Sequence, residues 1–297
     1  MSVLSDKILT YSPEVYYRLN QAYTNAPTNL GSAGSTTFAL NNEAPTLNTT
    51  GGIHGQGSWN FGFGRGIFDN TTTSLSVSSN TTNSNLGFID ADWSGGFWFK
   101  TNFTLSTANA ASNWQIANFG GSSTTRALLF SIVGGSAGAV GSKGKLVVSA
   151  TGATSYTSSM RLDDQQWHYI AFRVVPNGTT YTASIYVDGV FRATMTPTVS
   201  TGLTAQWRLG GGSQSTLNAN NDWTTVEFSD YYHASSASID ATAISQIWTA
   251  GNTPSNNLKY WNGTAWTVPT NKYQWDGINW VTMVGKYWNG TTWTTIT

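Results

Sequence analysis

The chain of 297 residues contains no cysteine, so no disulfide contributes to its stability. Charge is also scarce, because Asp, Glu, Lys and Arg make up 9% of the residues and the formal net charge is zero. Average proteins carry about 25% charged residues, so solubility here must come from Ser, Thr, Asn and Gly. Because no basic stripe exists to release counterions from phosphates, we expect no nucleic-acid partner.

Long hydrophobic runs are missing as well. No stretch approaches 18 apolar residues, so we expect no membrane span. The segment from Met1 to Tyr11 lacks the basic start and the long apolar run of a secretory signal. The composition is typical of an extracellular protein, whereas the start of the sequence lacks the signal for ordinary secretion. A virion protein, assembled inside the cell and later exposed outside, resolves this conflict.

Two alternating runs lie at the centre of the chain, within residues 167–195. In the first run Ile170, Phe172 and Val174 share one face. In the second run, over residues 180–187, Tyr, Ala, Ile and Val alternate with Thr, Ser and Tyr. A period of two in β-branched and aromatic residues predicts half-buried antiparallel strands.

Turn signals separate these runs. Residues 176–179 (Pro-Asn-Gly-Thr) predict one turn, because Pro fixes φ and Asn-Gly accepts a positive φ. Asp188 and Gly189 predict a second, tight hairpin turn for the same reason. The faces of Val190 and Arg192 stay open, since they depend on whether this loop holds two residues or carries a bulge.

One helix is predicted near residues 240–250. Asp240 is a good N-cap, and Ile244, Ile247 and Trp248 follow at helical spacing. Gly251 lies where a glycine beyond the helix end belongs. Residues 20–60 predict a long loop with short strands at most, and loops of this length are usually functional or part of an interface. Further strands are predicted at residues 59–92, 97–105, 114–119, 128–133 and 146–148.

Beyond a linker that begins at Asn252, the sequence repeats itself. Three copies of Trp-(Asn/Asp)-Gly-x-x-Trp start 14 and then 13 residues apart. Each copy predicts a hairpin, because Asn-Gly and Asp-Gly are strong hairpin signals. An isolated two-stranded hairpin is marginal, so the copies must stack on one another, on the main domain or on another chain. The tryptophans of the repeat are Trp261, Trp266, Trp275, Trp280, Trp288 and Trp293.

Several segments, taken in order, resemble laminin-G-like (concanavalin-A-like) jelly-roll domains. Residues 11–19 (YSPEVYYRL) resemble the opening strand, and residues 95–100 (GGFWFK) resemble an aromatic strand that follows a glycine. Residues 167–189, from Trp-His to Tyr-Val-Asp-Gly, resemble the centre of the family, and residues 207–211 (WRLGG) resemble a later strand. Residues 223–232 and the helix that follows resemble the closing elements. The resemblance spans residues 8–251 and implies the fold more firmly than an activity.

We therefore predict an all-β fold, an antiparallel jelly-roll sandwich with one short helix, followed by a small module of β-hairpin repeats. The predicted boundary separates a jelly-roll domain at residues 1–253 from Trp-rich hairpins at residues 254–297. The composition changes at this boundary, and the resemblance ends there.

Catalytic patterns are missing from the sequence. The glucanases of the same jelly-roll class need a Glu-x-Asp-x-x-Glu run on one strand, and this chain has none. Glu227 and Asp230 are three residues apart, which predicts opposite faces of a strand and an exposed or loop position for both. His54, His168 and His233 show no metal-ligand spacing, and His168 is expected to be partly buried and satisfied. We expect no catalytic residues and no enzymatic activity.

Calcium is the one ion that the resemblance implies, because laminin-G-like domains often hold it at the sheet rim through loop carboxylates. No spacing among the loop acids singles out a pair, so we expect no metal ion and no cofactor. These acids are Asp69, Asp90, Asp92, Asp163, Asp164 and Asp222.

The six repeat tryptophans are the candidate binding residues, for carbohydrate or for a partner protein. Indole faces stack on sugar rings, whereas packing between hairpins or against a neighbouring subunit is the alternative. The resemblance to tail, fibre and head-decoration proteins predicts a non-enzymatic structural or adhesive virion protein of a bacteriophage, which binds other virion proteins and host-surface glycans. The alternative is a secreted carbohydrate-binding module exported by a non-standard route. The 14 tryptophans and the uncharged polar surface predict a homo-oligomer.

Overall fold

The structure is a computed structural model, and its contacts divide the chain into two compact units, Met1–Thr253 and Pro254–Thr297, which are described separately. The described residues of the first unit are 3–24, 27–32, 38–41, 45–61, 66–69, 93–102, 114–119, 128–133, 142–177, 180–198, 207–209, 226–234 and 238–252. Those of the second unit are 260–261, 266–267, 273–275, 280–282, 286–288 and 293–295.

The first unit consists mainly of strands. In chain order its helices and strands are α1 (Val3–Leu9), β1 (Val15–Tyr17), β2 (Phe38–Asn41), β3 (Thr46–Asn48), β4 (Ser58–Phe61), β5 (Gly66–Asp69), β6 (Trp93–Thr101), β7 (Trp114–Phe119), β8 (Leu128–Ile132), β9 (Lys145–Ser149), β10 (Tyr156–Arg161), β11 (His168–Asn177), β12 (Thr180–Val187), β13 (Val190–Met195), β14 (Trp207–Leu209), β15 (Val226–Ala234) and α2 (Ala241–Asn252). A short 3₁₀ turn at Ile53–Gly55 precedes β4.

These strands form two antiparallel sheets. The first has the order β13-β12-β11-β6-β15-β4-β3, and β1 pairs with β15 beyond the end of β4. The second has the order β10-β9-β8-β7-β14-β5-β2. Neighbours such as β6 and β15 are far apart in sequence, as expected of a jelly roll. The predicted antiparallel jelly-roll sandwich is confirmed.

The space between the sheets is filled by apolar side chains, here called the inner cluster. The predicted alternation of β11 is observed, since Ile170, Phe172 and Val174 all belong to this cluster and are at most 2% exposed. Its other aromatic members are Tyr17, Trp59, Phe61, Trp93, Phe97, Phe99, Phe119, Phe130, Tyr181, Phe228 and Tyr231. Phe97 makes an edge contact with Phe130 across the two sheets, with ring centroids 5.8 Å apart.

The opposite face of the first sheet is also buried, beneath α1 and α2. Tyr16, Trp98, Tyr169 and Tyr232 lie on this face and are at most 1% exposed. They pack with Ile53, Ile239 and the apolar sides of both helices to form what we call the outer cluster. The unit therefore has three layers, in which the first sheet lies between a helical layer and the second sheet.

The prediction of one helix is incomplete, because α1 is a second helix. It has seven residues and buries Leu4 and Ile8 in the outer cluster. The prediction for α2 is correct at its start, where the amide of Ala243 donates to the carboxylate of Asp240 over 2.8 Å. It is wrong at its end, since Gly251 is helical. A Cβ on Gly251 would lie 2.2 Å from the Trp98 ring, so close packing explains this glycine.

The predicted Asp188-Gly189 turn is present, with φ of 53° and 71°, as a two-residue hairpin requires. A register shift beyond this turn leaves Arg192 as the extra residue of a β-bulge. The hairpin therefore has a two-residue loop and also a bulge in its second strand. The turn predicted at residues 176–179 is wrong at its first positions, because Pro176 pairs with Tyr181 inside the ladder. Pro176 lies beyond Val174, the last residue of β11 that pairs with β6.

In the described residues of the second unit, six short strands form three two-stranded sheets. Their strands are β16 (Tyr260–Trp261), β17 (Trp266–Thr267), β18 (Tyr273–Trp275), β19 (Trp280–Thr282), β20 (Lys286–Trp288) and β21 (Trp293–Thr295). The strands pair antiparallel with their neighbours in sequence: β16 with β17, β18 with β19, and β20 with β21. In the described residues of both units, no helix is long and apolar enough to cross a membrane.

Candidate functional site

A groove of about 240 Å³ opens where β1 ends beside β4. One wall is the chain that leaves β1, the other is a short loop, and Trp59 of β4 closes the base. The groove forms because β4 and β1 pair with successive parts of β15 and leave a gap between them. Its lining residues are Tyr17, Arg18, Leu19, Asn20, Gln21, Pro27, Thr28, Leu30 and Trp59.

The floor of the groove is apolar and its rim is polar. Tyr17, Leu19 and Trp59 are at most 3% exposed and belong to the inner cluster. The indole of Trp59 is fixed in place, because its N–H donates to the carbonyl of Gln21 over 2.7 Å. The rim carries a guanidinium, two amides, a hydroxyl and one apolar side chain, from Arg18, Asn20, Gln21, Thr28 and Leu30.

Unusual backbone conformations concentrate beside this groove. Leu19, His54 and Asp230 have φ of 54°, 62° and 54°, a region that non-glycine residues rarely adopt. The amide of Asp230 donates to the carbonyl of Arg18, the residue before Leu19, over 3.2 Å. Of these three residues, Leu19 lines the groove, and strained positions of this kind are often found at functional sites.

The expectation that Glu227 and Asp230 are exposed or loop carboxylates is wrong, because they are 4% and 7% exposed. Both lie within β15, whose nine residues are all buried. The sheet is covered on both faces, so a strand position outside the inner cluster gives no access to solvent.

Glu227 is buried with a complete set of partners. Its carboxylate accepts hydrogen bonds from Ser58 (2.6 Å) and Asn48 (3.1 Å) and forms an ion pair with Lys100 at 3.0 Å. The Lys100 ammonium also lies 5.5 Å from the centre of the Trp167 ring. Through these contacts Glu227 holds β3, β4, β15 and β6 together.

Asp230 lies nearer the groove and has different partners. Its two carboxylate oxygens accept hydrogen bonds from the hydroxyls of Tyr16 and Ser229, both over 2.6 Å. Burial raises the pKa of Asp230 above its ordinary value, although these hydrogen bonds and the positive charge of Arg18 oppose the shift. Tyr16 also lies 2.8 Å from Ser5 of α1, so this acid anchors the helical layer to the sheet.

His168 is satisfied and partly buried, as the sequence predicted. Its two ring nitrogens lie 2.9 Å from the carboxylates of Asp164 and Asp188. Burial alone would lower the pKa of His168, but the hydrogen bonds and charges of the two carboxylates outweigh burial and raise the pKa. This arrangement joins the loop before β11 to the turn after β12.

The loop acids considered for calcium are dispersed. Asp163 is fully buried and forms a bidentate pair with Arg161, with distances of 2.8 and 2.6 Å. Asp69 ends β5, whereas Asp90, Asp92 and Asp222 lie outside the described residues. Within the described ranges, no group of three or more His, Asp or Glu side chains could hold a metal ion.

The six repeat tryptophans are brought together in pairs by the backbone. Trp261 pairs with Trp266, Trp275 with Trp280, and Trp288 with Trp293, each across its own hairpin. Their side chains lie outside the described part of the structure.

The groove residues were not identified from the sequence. They come from two short segments, residues 17–21 and 27–30, and from one core tryptophan, and no motif connects them. The available signal was the long polar stretch at residues 20–60, which predicted an element with a function or an interface.

Comparison with known proteins gives likenesses of structure. No family model matches the sequence. No curated protein matches it either. The receptor-binding domain of botulinum neurotoxin type G matches 96% of this chain with a TM-score of 0.54 and 11% identity, over 65% of its own length.

Two further solved structures are similar. Botulinum neurotoxin type C, whose cell entry depends on two ganglioside molecules, matches 85% of this chain with a TM-score of 0.53 and 12% identity. The sialidase of Trypanosoma rangeli, bound to 2,3-difluorosialic acid, matches 82% with a TM-score of 0.54 and 13% identity. This chain covers 56% of the toxin chain and 34% of the sialidase chain, less than two thirds of either. At these identities the likeness shows the fold, an antiparallel jelly-roll sandwich of the kind found in these glycan-associated proteins.

Proposed function

We propose that this chain is a non-enzymatic glycan-binding protein and that the groove beside β1 receives the sugar. The observation that carries the proposal is the combination of an apolar floor with a rim of hydrogen-bonding groups. A pyranose ring has the same division, because its C–H faces are apolar and its edges carry hydroxyls. Amides such as those of Asn20 and Gln21 both donate and accept, as recognition of hydroxyls requires.

The size of the groove limits what it holds. Pockets for drug-sized ligands usually enclose about 300–1,000 Å³, so a volume of about 240 Å³ fits one sugar unit. One unit bound on an open surface gives weak affinity. Multiple copies of the chain on one particle would raise the overall avidity by about 10²–10⁴-fold when several sites engage at once.

The comparisons support this proposal at the level of the fold. Cell entry of the type C toxin depends on gangliosides, the sialidase structure holds a sialic acid derivative, and both proteins share the jelly roll. Their ligands belong to those proteins. The groove of this chain is argued from its own residues.

A glycan array with groove variants tests the proposal. Gln21→Ala and Thr28→Ala remove hydrogen-bonding groups from the exposed rim without cutting into the inner cluster. We expect each variant to weaken binding of the glycan selected by the array about three- to tenfold, as the loss of one hydrogen bond implies. Thr154→Ala, an exposed residue before β10 in the other sheet, is the matched control. Unchanged binding by both groove variants would refute the proposal.

The hairpin module provides a second proposed attachment element. The backbone register places two tryptophans opposite each other in each hairpin, and large aromatic rings favour both sugar stacking and protein interfaces. Deletion of residues 254–297 tests this role. If the truncated chain folds and binds its glycan or particle as well as the full chain does, the tryptophans serve only in packing.

A place on the surface of a bacteriophage particle remains our proposal for the biological setting, with export as a secreted module as the alternative. It is supported by the low charge and the absence of cysteine. Mass spectrometry of purified virions should find the chain, whereas its presence only in host culture medium would favour the alternative. Sedimentation of the full chain tests the proposed homo-oligomer, and a stable monomer would count against it.

A further inference from the structure

We propose that the groove selects a sugar unit that carries a carboxylate, and that Arg18 is the residue that determines this specificity. The inference rests on the proposed function and specifies its ligand. Of the nine residues that line the groove, Arg18 alone carries a charge at neutral pH. The remaining rim groups are neutral amides, a hydroxyl and an apolar side chain, so a single positive charge faces the ligand.

A hydrogen bond holds the Arg18 side chain in place, and among the described residues no ion pair neutralises its charge. Its Nη2 donates to the side-chain oxygen of Gln56, which fixes one edge of the guanidinium. Among the described residues, the ion pairs involve Lys100, Arg161 and His168, and Arg18 forms none. A guanidinium has five N–H donors in one plane, and one bond to Gln56 leaves the others available to a ligand.

The charges of Asp230 and Arg18 act on each other, but among the described residues the two side chains form no ion pair. Both of its carboxylate oxygens are occupied by the hydroxyls of Tyr16 and Ser229. It does not line the groove, and it is 7% exposed. Asp230 therefore reduces the positive potential of Arg18 without lining the groove. The free edge of the guanidinium remains the strongest hydrogen-bond donor at the rim.

The chemistry of arginine identifies the ligand class. The planar fork matches a carboxylate in a bidentate pair, which is roughly twice as strong as a hydrogen bond between neutral groups. A uronic acid or a sialic acid places such a carboxylate directly on the pyranose ring. The ring then lies against the exposed side chain of Leu30, and its hydroxyls face Asn20 and Thr28.

An array of matched acid and ester glycans tests the inference on the unmodified full chain. Each uronic or sialic acid glycan is printed beside its methyl ester, which removes the charge and keeps the shape, and beside a sulfated neutral glycan. We expect an acid to bind about tenfold or more tightly than its ester, since a charge-assisted pair is lost. Equal binding of acids and esters, a preference for sulfate alone, or no binding of any acid would overturn the inference.

Arginine variants assign the preference to Arg18. Arg18→Gln should abolish the difference between acid and ester, whereas Arg18→Lys should retain part of it as a point charge. Circular dichroism and thermal unfolding confirm that each variant is folded. An acid preference that survives in Arg18→Gln would overturn the assignment.

The two proposals fail in different ways. If Gln21→Ala and Thr28→Ala weaken binding while Arg18→Gln changes nothing, the groove binds glycan but does not select an acid. If neither rim variant changes binding, the proposed function itself is wrong.

Discussion

The two faces of the first sheet are both buried, but they are built differently. The inner cluster is formed by apolar and aromatic side chains of two sheets, with Phe97 surrounded by Phe99, Phe119, Phe130 and Phe228. The outer cluster is rich in tyrosine and tryptophan, and its hydroxyls bond to one another and to buried polar groups. One face is closed by sheet against sheet, the other by two helices.

This difference shows what each face tolerates. An apolar cluster depends on filled volume, so related apolar residues can replace one another at modest cost. The outer cluster depends on specific contacts. These are hydrogen bonds from hydroxyls to a carboxylate, close packing of a glycine against a ring, and stacking between aromatic rings. Trp98, for example, stacks on Trp248 with centroids 5.1 Å apart, while Gly251 leaves room for it. Small polar changes should therefore matter more on the outer face.

The largest expected effect is a cavity in the inner cluster. Phe97→Ala should lower the free energy of unfolding by about 3–5 kcal/mol, because it removes a fully buried ring from the contact between the sheets. Phe97→Leu, which retains most of the volume, should cost much less. Chemical denaturation of the two variants measures the difference. Similar losses for Ala and Leu would mean that this face also depends on specific ring contacts.

The next effect is on the outer face and involves a single oxygen atom. Tyr16→Phe should lower the free energy of unfolding by about 1.5–3 kcal/mol, because the buried carboxylate of Asp230 loses a donor. Tyr232→Phe is the matched control, since its hydroxyl bonds only to the neutral Tyr169 hydroxyl. Urea denaturation should show the larger loss for Tyr16→Phe. Equal losses would show that the charge on Asp230 does not matter.

The sign of the stability change in Gly251→Ala tests how tightly the outer cluster is packed. In an ordinary helix position alanine is more stable than glycine by about 0.5–1 kcal/mol. Here a Cβ would lie 2.2 Å from Trp98, so we expect destabilisation by about 1–3 kcal/mol. Ser245→Ala on the exposed side of α2 is the control and should be neutral or stabilising. A stabilised Gly251→Ala would mean that the outer layer is loosely packed.

The pH dependence of stability distinguishes two histidines with opposite shifts. The carboxylates of Asp188 and Asp164 raise the pKa of His168 above 6.5 despite burial. Its contribution is complete below about pH 6.5 and is lost as the pH rises through the folded-state pKa. Burial lowers the pKa of His233 to about 3, so its contribution is present above about pH 6.5 and is lost as the pH falls towards 3.

Thermal unfolding between pH 5 and 9 tests both histidines. His168→Gln should remove the decline that the parent protein shows above neutrality and leave the acid side unchanged. His233→Leu should reduce the decline on the acid side only. If the parent and His168→Gln show the same curve above pH 6.5, the histidine is not held charged by its two acids.

The regular parts of the sandwich could be predicted from the sequence because alternation reports directly on a half-buried strand. Residues 170–187 and the Asp188-Gly189 turn show this. The strand β15 was expected at residues 223–232, but the burial of its acids could not be predicted, since it is buried on both faces and contains a left-handed residue at Asp230. Alternation carries no information about exposure when helices cover the second face.

Short elements escaped prediction because they depend on partners distant in sequence. α1 has seven residues, too few for a stable isolated helix, and exists by packing on α2 and the sheet. The groove has the same origin, as its two walls and its floor come from separate segments. Local patterns cannot encode a surface that forms only when β1 and β4 take adjacent places along β15.

The contact between α1 and α2 also constrains how the first unit folds. The hydroxyl of Tyr11 donates to Gln246 across 235 residues of sequence, and among the described strands β1 pairs with β15 alone. At synthesis rates of about 5–20 residues per second, the first segment waits roughly 10–50 s for its partners to leave the ribosome. The groove, built on β1, is therefore among the last features to form. Until then Val15, Tyr16 and Tyr17 expose a hydrophobic strand that chaperones or a premature partner can bind.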